Sequence, residues 1–107
     1  MAVHELRAFP RLSCGRPARL LFPEMEEGGQ VVDISAGGSK FMPFQLETLA
    51  AWGMPPGLPI KVAIGSSIIP ATIAWATPNY SAVGCRFDAP LSPAHLAAVL
   101  AVPRAVE

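Results

Sequence analysis

The chain has 107 residues, 51% of them hydrophobic and 15% charged, with a formal net charge of zero. One domain of this size and apolar content builds its own core, which excludes disorder, and the balanced charge excludes a global attraction to DNA, RNA or an anionic membrane. No apolar run reaches the roughly 18–20 residues that span a bilayer, and residues 1–7 lack the basic-then-apolar pattern of a signal peptide, so the sequence predicts a cytoplasmic protein without membrane insertion.

Residues 1–16 contain Pro10 and Gly15 and no sustained apolar period, which predicts a flexible N-terminal arm ahead of a folded unit at 17–102. Residues 18–22 read as a strand, Glu26-Glu27-Gly28-Gly29 as the turn after it, and residues 30–34 as the returning strand. Ser35-Ala36-Gly37-Gly38 is a short turn before a third strand at 39–42, and residues 46–52 carry helical apolar spacing that ends at Gly53. Met54-Pro55-Pro56-Gly57 is loop, since paired prolines donate nothing to a ladder. Strands follow at 59–64, 68–76 and 81–87, with Pro70 expected at an edge or bulge. Ser92-Pro93 then starts a helix through Ala101, with Leu96, Val99 and Leu100 on one face. The order predicts a mainly β fold, a six-stranded antiparallel β-barrel with a short inserted helix and a C-terminal helix. Trp52 and Trp75 read as core packing, and Leu46, Leu49 and Trp52 as a barrel lid or a partner patch.

No catalytic constellation is present. The chain has no Walker phosphate loop, nucleophile elbow, Cys-x-x-Cys pair or His-Glu helix motif, which argues against an enzyme. Cys14 and Cys85 are too far apart to form a disulfide framework and read as reduced thiols. His4 and Cys14, like Cys85 and His95, are ten positions apart, unlike the short ligand pairs of structural zinc sites. No metal is predicted.

The zero net charge hides an asymmetry. Residues 1–19 hold Arg7, Arg11, Arg16 and Arg19 against Glu5 alone. Arginine's planar fork grips phosphate in two places and stacks on flat rings, so an all-arginine arm fits an anion that carries aromatic bases, although short basic arms also serve only solubility. Two short patterns stand out. Arg7-Ala8-Phe9-Pro10-Arg11 has the form R-x-x-x-R, and Asp33-Ile34-Ser35-Ala36-Gly37-Gly38 has the form D-x-S-x-x-G, with 21 residues between Arg11 and Asp33. The second is also what a tight turn after a strand requires, Asp33 and Ser35 satisfying backbone groups and Gly38 supplying a positive φ.

With both motifs in this order, the chain resembles the PilZ domain family of bacterial cyclic di-GMP receptors. Ala74-Trp75 and the closing Gly84-Cys85-Arg86-Phe87 add to the likeness, which runs from about Glu5 to Leu100. The resemblance implies cyclic di-GMP as the ligand, with no cofactor, and a site made of Arg7, Arg11, Asp33, Ser35, Gly37 and Gly38. It also implies that binding orders the arm on the barrel and signals to an unidentified effector protein. The other reading it leaves is a ligand-independent interaction module in motility, pilus or polysaccharide machinery. Many members carry Arg immediately before R-x-x-x-R, and the extra Arg goes with a stacked pair of ligands. Leu6 stands there in this chain, which implies one ligand per chain.

Overall fold

A period of two in burial runs through the strands, and it sets the architecture. Residues 11–45 and 55–104 are described by a computed structural model, so the predicted inserted helix at 46–52, with Leu46, Leu49 and Trp52, and all of the predicted arm before Arg11 lie outside the described residues. Six strands are present: β1 (Leu12–Leu21), β2 (Glu26–Ile34), β3 (Gly38–Pro43), β4 (Pro59–Ile64), β5 (Ser67–Ala76) and β6 (Val83–Phe87). Every pairing is antiparallel, and the order β1-β2-β3-β6-β5-β4 closes on itself as a barrel. The mainly β, six-stranded barrel expected from the sequence is the observed fold.

Inward positions fill the barrel. Leu20, Val31, Ile34, Phe41, Val62, Ile64, Ile73 and Val83 are fully buried, and each such side chain contributes roughly 1.5–3 kcal/mol relative to leaving it in water. The C-terminal helix α1 (Pro93–Leu100) adds Val99 to the same core, with Leu96 and Leu100 packed beside it. Its start follows the sequence: the Ser92 hydroxyl accepts the His95 amide at 3.0 Å, and Pro93 sits where a missing N–H costs nothing. Among the described residues, no helix is long and apolar enough to cross a membrane.

Two local expectations differ from the structure. The first strand begins at Leu12 rather than Ala18, because Gly15 takes φ +64° and lets β1 bulge between Ser13 and Arg16 without leaving the sheet. The first turn lies at Phe22–Met25, where the Phe22 amide donates to the Met25 carbonyl at 2.8 Å, so Glu26-Glu27-Gly28-Gly29 is strand and not turn. Gly29 is there for close approach: a Cβ would strike the Phe41 ring and the backbone at Met42 and Pro43. Pro70 lies beyond Ala71–Phe87, the last pair of the β5–β6 ladder, and its carbonyl takes the Asp88 amide at 3.0 Å.

Candidate ligand-binding site

The β2–β3 turn is built from its own sequence. The Ser35 amide donates to the Gly38 carbonyl at 2.8 Å, and the Gly37 amide donates to the Ser35 hydroxyl at 3.2 Å. Ser35 is buried, so its hydroxyl holds the turn from within. The turn is pinned from outside as well, since Phe87 donates to the Gly37 carbonyl at 2.9 Å and Leu91 to the Ala36 carbonyl at 2.8 Å. Gly38 is needed for a different reason from the one expected. Its φ is not positive; instead a Cβ would run into the Cys85 carbonyl of β6, so only glycine lets β3 and β6 approach there.

Asp33 leaves β2 just before this turn and faces outward. Arg11, immediately ahead of β1, donates from Nη1 to Asp33 Oδ1. This ion pair joins the first sequence motif to the second across 22 positions. Arg7 and Leu6 lie outside the described residues. The two paired side chains stay 31% and 28% exposed, and a pair so placed contributes only about 0–1 kcal/mol. Both groups are therefore available for exchange: an acceptor-only carboxylate and a forked donor stand side by side at the surface.

The ladder extends this point into a row. Ser13 pairs with Asp33, Asp33 with Lys40, Lys40 with Gly84, and Gly84 with Trp75. Neighbouring strands lie about 4.8 Å apart, so the row reaches about 10 Å from Asp33 to Gly84. Three β-bulges border it, in β1 between Ser13 and Arg16, in β2 between Val31 and Asp33, and in β5 between Ile73 and Trp75. Bulges re-aim side chains, and the one in β5 corrects the reading of Trp75 as core: the extra residue, Ala74, turns Trp75 outward, where it is 40% exposed. The indole lies across Gly84 so closely that a Cβ on Gly84 would fall within the ring.

Arg16, which the sequence placed in the arm, has a structural task. Its guanidinium donates to the Val102 carbonyl at 2.9 Å and also to the carbonyls of Leu100 and Cys14. It thus supplies from β1 the cation that the last turn of α1 lacks. The only sequence signal for this was that absence of a basic residue at the helix end. Cys85 is buried and its thiol is pushed up to about 12 by desolvation, which keeps it protonated and unreactive at neutral pH; Cys14 is raised for the same reason. Among the described residues, no group of His, Cys, Asp or Glu could hold a metal ion.

Comparisons with known proteins agree with this architecture. The family model described as PilZ domain matches residues 5–101. Among solved structures, the Bacillus subtilis inhibitor of motility, MotI/DgrA, superposes with a TM-score of 0.64 at 15% identity, covering 90% of this chain and 48% of that one. The chain thus spans about half the length of that structure, and at this identity the likeness is one of fold. A search of curated proteins found no match.

Proposed function

Because the chain belongs to the PilZ domain family, we propose that it is a receptor for cyclic di-GMP that passes ligand occupancy to a partner protein through the pose of its N-terminal residues. The observation that carries this reading is the Arg11–Asp33 ion pair, in which the two family motifs meet on the outside of the barrel. Cyclic di-GMP is a compact dianion with two guanines. The Asp33 carboxylate suits the ring N–H and amino donors of guanine, and the Arg11 fork suits a phosphate or the O6 and N7 acceptors. Arg7, four positions earlier, brings a second fork to the same ligand. Ser35, Gly37 and Gly38 form the turn that follows Asp33 and holds the end of β2 in place. Ligand entry separates an exposed pair at small cost, and Arg11 exchanges a carboxylate for the nucleotide.

Binding and not turnover is the chemistry here, and Leu6 ahead of the first motif favours one ligand per chain. Calorimetry with cyclic di-GMP tests the assignment. Arg11→Ala and Asp33→Ala are each expected to weaken binding at least about tenfold, the loss typical of a charged contact removed from a ligand. Wild-type affinity in both variants overturns the site, and two ligands per chain overturns the stoichiometry. A wild-type chain that does not bind leaves the ligand-independent interaction module as the reading of this barrel.

A further inference from the structure

Lys40 occupies the centre of the row described above, paired on one side with Asp33 and on the other with Gly84. In β3, Ser39 and Phe41 are buried, so Lys40 faces outward, half-buried between these neighbours. Asp33, the adjacent acid, is engaged by Arg11, and among the described residues Lys40 makes no ion pair. An uncompensated ammonium therefore stands between the Arg11–Asp33 pair and the Trp75 indole, which closes the far end of the row over Gly84. The charges leave a place for it. Arg11 and Asp33 cancel each other, so among the described residues of the row Lys40 is the net positive charge that a dianionic ligand meets.

Resting on the cyclic di-GMP reading, we propose that Lys40 is a specificity-determining contact of the site, its ammonium pairing with a ligand phosphate. A compact point charge on a rigid strand suits a phosphate oxygen, whereas the planar forks of the arginines suit base edges and faces. The division of labour follows: the strand fixes where the phosphate sits, and the Arg11 fork is left for the bases. The bulges at Val31–Asp33 and Ile73–Trp75 hold the side chains flanking Lys40 at this one level of the barrel. Arg86 is the other cation nearby, paired with Gly38 beside the turn, and its exposed side chain lies outside the row.

Titration with cyclic di-GMP, at low and at high salt, separates these roles. Lys40→Met keeps the stem and removes the charge, and its Kd is expected to rise about tenfold with a weaker salt dependence than wild type. Lys40→Arg is expected to stay within about threefold of wild type, and Arg86→Ala likewise, with unchanged melting temperatures throughout. A Lys40→Met chain that binds as wild type does, or loss in Arg86→Ala instead, overturns the proposal while the receptor reading stands. No binding by the wild-type chain removes both.

Discussion

The β4–β5 and β2–β3 hairpins belong to the same barrel and are built on opposite principles. The first keeps one unbroken register from Pro59–Thr72 to Ile64–Ser67, closed by a tight turn in which Gly65 takes φ +59°. The second shifts register at Val31–Asp33, and its turn is held by a buried serine and by the amides of Phe87 and Leu91, which donate to its carbonyls from the end of β6 and beyond. Regular pairing buries Ile60, Val62, Ile64, Ile69, Ala71 and Ile73, with Ala63 buried beside them. Irregular pairing turns Asp33 outward instead. Both hairpins feed the core, Phe41, Ile34 and Val31 from the irregular one, but only the irregular one also presents a paired acid at the surface.

The sharpest way to break that contrast is a core truncation in the regular hairpin. Ile64→Ala is expected to cost about 2–5 kcal/mol, enough to lower the melting temperature by more than about 10 °C, while cyclic di-GMP affinity of the folded fraction stays as in wild type. Equal losses of stability and affinity in a thermal melt and a titration would mean that the two hairpins are not separable. A middling effect is expected from Arg16→Ala, which removes donors from the Leu100 and Val102 carbonyls. The cost is about 1–3 kcal/mol in a denaturant melt, with earlier hydrogen exchange at Ala101 and Val102 and none at the β4–β5 pairs.

The smallest effect concerns Glu27, a buried acid on β2. Desolvation raises its carboxyl above the usual 4.5, opposed in part by the backbone amide of Gln45. Folding therefore disfavours the ionised form: the stability tied to this group is whole below 4.5 and declines as pH rises through the raised folded value. Glu27→Gln is expected to flatten the melting temperature against pH over that interval and to be the more stable chain at neutral pH. A wild-type melting temperature that instead climbs more steeply than the variant's across that interval contradicts it.

Much of the fold was legible because period-two burial is written directly into residues such as Ile60, Val62 and Ile64, and because Ser92-Pro93 announces a helix start without tertiary help. Glycine misled where it serves packing. Gly28-Gly29 has the composition of a turn, yet Gly29 lies against Phe41 and Met42, a contact that no local pattern reveals. Gly15 had the opposite fate, read as the end of order while it carries β1 through a bulge. At the candidate site, Asp33 and Ser35 were recognisable because they are close in sequence to the turn they adjoin, and Arg11 through the R-x-x-x-R pattern and the family resemblance it carries, although it meets Asp33 across 22 positions. That Lys40 and Trp75 share a row with Asp33 was not legible, since the row is formed across ladders whose register is set by bulges.

The closure of the barrel rests on its shortest seam, where β1 meets β4 only at Arg19–Ala63, Leu20–Val62 and Leu21–Lys61. The tail after α1 lies astride this seam, Arg16 reaching its carbonyls from one side and Val102 sitting over Gly65 on the other. The shortest pairing of the cylinder is thus bridged from outside by Val102, which links Arg16 of β1 to Gly65 just past the end of β4.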